Sequence, residues 1–204
     1  FVHLAIAAAL HAFYGYGSTA FNASFYRRSH VFELGELGSW LAVVLVVGGG
    51  LGTWLGGTLT DRLGARDARY YVWVPGVATL LGVPFVLFLY TTPDQYASLR
   101  ALVAATLFGS FYYGPTFALT QSLVPARLRA QAAAVLLFVI NMIGLGFGPQ
   151  FVGVLSDALA PEHGTDSLRL ALLFTVAVGA VWATVHYALA ARTLREDLAA
   201  TMRG

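Results

Sequence analysis

The sequence predicts an all-α membrane protein, a single bundle of six transmembrane helices over residues 1–204. Three observations lead there. Of the 204 residues, 58% are hydrophobic and only 11% are charged, against about half and about a quarter in soluble domains. The charges leave six stretches clear, each near the roughly 20 apolar residues that cross a bilayer. The connecting segments are too short to hold a soluble domain. The count of zero Cys removes disulfide frameworks and cysteine chemistry, and no metal or cofactor is expected. A net charge of +2, scattered along the chain, excludes a nucleic-acid partner.

The spans follow in order. The first runs from Phe1 to Phe25, free of charge until Arg27. It lacks the basic flank of a signal peptide and is too long for one. The second, Leu37 to Thr60, stops at Asp61, and the third, Tyr70 to Tyr90, lies between Arg69 and the turn Thr91-Thr92-Pro93-Asp94. The fourth covers Ala101 to Leu123 before Pro125 and Arg127, the fifth Ala130 to Leu155, and the sixth Leu170 to Ala191 between Arg169 and Arg192. Eight arginines (62, 66, 69, 127, 129, 192, 195 and 203) fall on one side and four (27, 28, 100 and 169) on the other, diluted there by acidic residues. The bias of arginine toward cytoplasmic loops places both ends of the chain in the cytoplasm. Because the chain opens on Phe inside an apolar run, it reads as a piece of a longer protein.

Two kinds of helix face stand out. Gly48, Gly52 and Gly56 recur every four residues in the second span, and Gly144 and Gly148 repeat the spacing in the fifth. Such stripes let another backbone approach closely, either as fixed packing or as an interface that slides. The third and sixth spans carry no such stripe. Leu80, Leu81, Phe85, Leu87, Leu172 and Phe174 make them look lipid-facing. Polar residues at membrane depth are the usual functional pointers. His11, Tyr14, Ser18 and Asn22 form one stripe on the first span, and Ser110, Tyr113, Phe117 and Gln121, with Tyr112 beside them, form another on the fourth. Asn141 sits in the fifth. These groups either hydrogen-bond helix to helix or line a wet cavity walled by Tyr14, Tyr16, Phe111, Tyr112 and Tyr113.

The most specific motif joins the second and third spans. Gly57, Asp61, Arg62, Gly64, Arg66 and Arg69 fall at the spacing G-x3-D-R-x-G-x-R-x-x-R. This loop resembles motif A of the major facilitator superfamily. The likeness continues through Trp73-Val74-Pro75, Gly114-Pro115, Gln121-Ser122-Leu123-Val124-Pro125, Leu136 to Asn141 and Ile143 to Pro149, and is similar to the bacterial spinster-like branch. The resemblance implies the C-terminal half of a twelve-helix fold, with two inverted three-helix repeats at 1–90 and 101–191. It implies a substrate cavity on the first and fourth spans, an interface between halves on the second and fifth, and a cytoplasmic latch made by the motif. It also implies a bacterial inner-membrane transporter of an amphipathic, lipid-like or hydrophobic organic small molecule. Its partners would be the lipid bilayer and a missing N-terminal six-helix half, and sugar or organic-anion transport is the alternative within the class.

Other classes fit less well. An intramembrane serine protease needs G-x-S-G with a histidine on a neighbouring helix, and Gly109-Ser110-Phe111 and Gly17-Ser18-Thr19 lack that pattern. His186 lies near the end of its span. No paired Asn-Pro-Ala loops or threefold carrier repeat occur. A packing remnant without transport is the remaining alternative.

Overall fold

The computed structural model describes residues 1–30 and 32–201. Every regular element among them is helical. α1 (Val2–Ser29) is followed by α2 (Leu34–Val43), a π segment (Val44–Leu51) and α3 (Gly52–Gly64), which continue one another. α4 (Tyr70–Thr91) leads to α5 (Gln95–Gly109), a 3-10 turn (Ser110–Tyr112) and α6 (Tyr113–Ser122). A 3-10 turn (Ala126–Leu128) opens α7 (Arg129–Ile140), a second π segment (Asn141–Phe147) and α8 (Gly148–His163). The 3-10 turn Gly164–Asp166 then leads into α9 (Ser167–Thr201).

Local chemistry sets the boundaries. Asp94 caps α5, accepting the N–H groups of Tyr96 at 2.9 Å and Ala97 at 3.0 Å. These bonds, that of Ala97 foremost, hold its carboxyl below the usual carboxylate range. Gly164 ends α8 at φ +54°, a conformation in which a Cβ would be strained. Pro115, in α6, cannot donate to the carbonyl of Phe111 four residues earlier, and the helix tightens to 3-10 there.

Four helical runs among the described residues are long and apolar enough to cross a membrane: Gly35–Gly64, Tyr70–Thr91, Gln95–Ser122 and Ala126–Ala200. The expected count of six needs α1 as well, and needs the last run divided into α7–α8 and α9. α1 is long enough but less apolar, because His3, His11, Tyr14, Ser18 and Asn22 lie along it. The packing is reciprocal. α1 lies against the second π segment, α8 and α9, while α5 and α6 lie against the first π segment, α3 and α4. The main cores bury Leu4, Ala8, Leu136 and Tyr187 in one cluster and Phe25, Leu89, Leu99 and Leu172 in another.

The lipid-facing expectation for the third and sixth spans holds on one side only. Leu80, Leu81 and Phe174 are exposed, but Leu172 is fully buried. α9 packs through Ala171, Ala180 and Ala183, with Gly179 against the ring of Tyr14, and Gly76 of α4 lies under Tyr187. Alanine does the work there that glycine does elsewhere, and in sequence it reads only as apolar.

Candidate functional site

The two polar stripes meet. A cavity of about 230 Å³ is lined by His11, Tyr14, Ser18 and Asn22 from α1 and by Ser110, Tyr112 and Tyr113 from the end of α5 and the start of α6. Tyr16, Thr19 and Thr106 add further polar groups, and Leu45, Val86, Leu89, Leu102 and Val176 supply apolar wall. The α1 residues converge because 3- and 4-residue steps return to one helix face. The α5 residues converge through the 3-10 turn, which buries Ser110 and Tyr112 together.

His11 anchors the inner end. Its Nδ1 lies 2.9 Å from the Tyr14 hydroxyl and 3.2 Å from Thr79 Oγ1 of α4, and its ring stacks on Tyr112 at a 4.0 Å centroid distance. Ser18 donates to its own helix at the Gly15 carbonyl, 3.0 Å away. Asn22 is buried, and its Oδ1 has no hydrogen-bond partner. Among the described residues no Asp, Glu, Lys or Arg side chain lines the cavity.

Four expected cavity residues lie elsewhere: Phe117 packs against the cluster of Leu4, Ala8, Leu136 and Tyr187, Gln121 is exposed, and Asn141 and Phe111 also miss the cavity. Asn141 is exposed at the start of the second π segment, where its Nδ2 donates to the Leu137 carbonyl at 2.8 Å. The buried face of that helix is Leu136, Ile140, Gly144 and Gly148, and Asn141 is one residue, about 100°, off it. Phe111 packs with Val74 and Ala78 of α4, on the far side of its turn from the cavity. Sequence reasoning missed α4 as a cavity wall. Val86, Leu89 and Tyr90 form that wall, and Thr79 of the same helix bonds His11; the polar signal in this span was the hydroxyls of Thr79 and Tyr90. His186 does not line the cavity. Its Nδ1 lies 3.1 Å from that of His3, apart from either candidate serine.

The glycine stripes face neighbours within this chain. A Cβ on Gly48 would lie 2.8 Å from the Val103 carbonyl oxygen, one on Gly52 would strike the Leu107 carbonyl, and one on Gly56 would lie 2.5 Å from Phe111 Cα. Gly144 rests on Ala12 and Tyr16, and Gly148 on the Phe13 carbonyl. The opposite faces of these helices expose Leu45, Val46, Trp54, Phe138, Leu145 and Val154. Of the motif residues, Gly57 lies over Gly114, and Asp61 accepts the Tyr71 hydroxyl at 3.0 Å. Gly64 lies under the Tyr71 ring, where a Cβ would collide with it. Arg62 and Arg66 are exposed. The organising residue is one the motif pattern leaves blank. Asp67 accepts the backbone N–H of Arg69 at 3.0 Å, Arg69 Nε at 3.1 Å, and both Arg195 Nε at 3.3 Å and Nη2 at 2.6 Å from α9. Arg195 first, then Arg69, holds its carboxyl well below the usual range.

Among the described residues no group of three or more His, Cys, Asp or Glu is placed to hold a metal ion. No family model matches the chain. Over 184 residues, 90% of its length, the chain is 33% identical to an MFS-type efflux pump of Mycolicibacterium smegmatis, of which it covers 43%. It superposes on the crystal structure of a bacterial homologue of the human lysosomal transporter Spinster, inward-facing and unoccupied, with TM-score 0.86 and 29% identity, covering 97% of this chain and 48% of that one. The inward-facing occupied form gives TM-score 0.83 and 28% identity, with 97% and 50% covered. The chain therefore spans about half the length of these relatives.

Long apolar helices, glycine-mediated packing and these likenesses define an integral membrane protein. The chain is similar to transporters of the major facilitator superfamily and, among solved structures, to a bacterial Spinster homologue.

Proposed function

We propose that the chain is the C-terminal six-helix half of a secondary transporter that works by alternating access, and that its substrate is an amphipathic, lipid-like or hydrophobic organic molecule. The observation that carries this reading is the meeting of the α1 and α5–α6 polar stripes on one cavity. At about 230 Å³ the cavity is smaller than the roughly 300–1,000 Å³ of a complete small-molecule site. That suits one wall of a site closed by a second half. Residues 1–90 and 101–191 are the two repeats, and the reciprocal packing of α1 and α5–α6 supports that division. Transporters of this construction place substrate at the interface of repeats near the bilayer midplane.

In this reading both chain ends are cytoplasmic. Asp61, Arg62 and Arg66 form a latch that meets the other half, and the exposed faces with Trp54 and Phe138 pack on that half or on lipid. The test is uptake of a labelled monoacylglycerol by proteoliposomes containing the full-length protein, under an imposed ion gradient. Ser18→Trp, which fills the cavity, is expected to abolish uptake with the protein still inserted, and Asp61→Asn is expected to impair it. Undiminished uptake with the cavity filled would sink the proposal.

A further inference from the structure

The polar inventory of the cavity is unequal. His11 and Tyr14 are engaged with each other and with Thr79, and Ser18 is bonded to its own helix. Asn22 differs. It is 8% exposed, it lines the cavity, and its Oδ1 is buried without a partner. A buried polar group without a hydrogen bond is a cost that native structures normally avoid. An apolar side chain such as Ala would carry no unmet acceptor at this position. The same cavity is lined by Val86, Leu89, Leu102 and Val176, an apolar surface suited to an alkyl chain.

We infer that Asn22 is the specificity-determining residue of this half of the cavity, and that it reads an uncharged, hydrogen-bonding head group such as a glycerol, amide or alcohol. The inference rests on the cavity being the substrate site. A primary amide presents an acceptor and two donors, and a half-turn of its terminal torsion exchanges them, so it matches a head group that both donates and accepts. It does not match an ion. A carboxylate or ammonium brought here would be stripped of water beside no opposite charge from this chain, and an unpaired buried charge is strongly disfavoured. Specificity of this kind is large, because a site built to hydrogen-bond rejects ligands that leave its polar group unmet.

The experiment uses the full-length protein in nanodiscs and three probes that share one alkyl chain: monolauroylglycerol, laurate and dodecylammonium. Binding is measured by calorimetric titration. Monolauroylglycerol is expected to bind about tenfold more tightly than either ion, equivalent to roughly 1.4 kcal/mol. Asn22→Leu should erase that preference by weakening monolauroylglycerol binding, with laurate unchanged. Asn22→Asp, of nearly equal size, should turn the preference toward dodecylammonium, and Ser39→Ala, at an exposed hydroxyl of α2 outside the cavity, should leave the ranking as it was. Equal binding of monolauroylglycerol to the wild type and Asn22→Leu would overturn the inference, as would laurate binding best or Asn22→Asp failing to favour the cation. Uptake is measured separately on the same protein. Binding with the expected ranking but no uptake would remove the transport reading and leave Asn22 in its role. Uptake without head-group preference would do the reverse.

Discussion

The helix that runs through the first π segment into α3 and the helix that runs through the second into α8 both set glycine against a neighbouring backbone, but they do so differently. In the first, Gly48, Gly52 and Gly56 lie over Val103, Leu107 and Phe111, three successive turns of α5 and its 3-10 end. All the small residues of that row are on one side. In the second, Gly144 and Gly148 meet Ala12 and the Phe13 carbonyl, and α1 answers with Gly17, where a Cβ would lie 3.0 Å from the Gly148 oxygen. Closeness there is shared between the helices, and Val152 takes over one turn later. A one-sided row fails wherever a single glycine is lost. A shared contact is shorter and leaves its neighbours to ordinary side-chain packing. Both rows begin inside π segments, Gly48 in Val44–Leu51 and Gly144 in Asn141–Phe147, and π-type turns are often found at functional sites.

The comparison can be broken at its tightest point. Gly52→Leu places a side chain where the Leu107 carbonyl and Ser110 already stand. Backbone cannot step aside as a flexible side chain can, so the loss is expected to reach about 3 kcal/mol or more, the upper range of overpacking. The readout is unfolding of the full-length protein in mixed micelles. Gly148→Ala comes next, at about 1–3 kcal/mol, because its obstacle is the Phe13 carbonyl. Truncating the side chain as well, in Phe13→Ala, should give no rescue. Gly64→Ala is the contrasting case. Its obstacle is the Tyr71 ring, so Tyr71→Ala should restore most of the stability lost. Rescue at Gly148, or none at Gly64, would show that the contacts are not what the geometry describes.

What was legible in the sequence was whatever repeats with helical period. The stripe of His11, Tyr14, Ser18 and Asn22 and its counterpart Ser110 and Tyr113 are visible as spacing, and they line one cavity. Asn141 was misplaced because a lone polar residue carries no phase. Only the row Ile140, Gly144, Gly148 shows which face is buried, and Asn141 is off it. Phe111 was misplaced because the 3-10 turn at Ser110–Tyr112 changes the angular step between residues. Leu172 and the alanines of α9 were hidden for another reason. In a membrane segment, apolar residues face lipid and protein alike, so hydropathy does not separate the two. The Asp67 contacts were invisible because Arg195 is 128 residues away.

Asp67 gives the smallest predicted effect and the one that separates charge from packing. Its carboxylate holds Arg69 within the loop and Arg195 on α9, outside the apolar layer where the glycine contacts act. Asp67→Asn keeps the shape but removes the charge that makes such hydrogen bonds strong. The expected result is several-fold faster trypsin cleavage at Arg66 or Arg69, with global unfolding little changed. The pH dependence has a definite sign. The folded-state pKa is depressed by Arg195 and Arg69, so the stabilisation is present above the ordinary carboxylate pKa of about 3.9. It is lost as pH falls below that value. Salt should loosen the same clamp, since the screening length shrinks to about 3 Å at 1 M. Neither acid nor salt should alter the Gly52 or Gly148 contacts, which are steric. Equal cleavage of wild type and Asp67→Asn would mean that the loop is held by Gly64 and Tyr71 alone, with no electrostatic tie to α9.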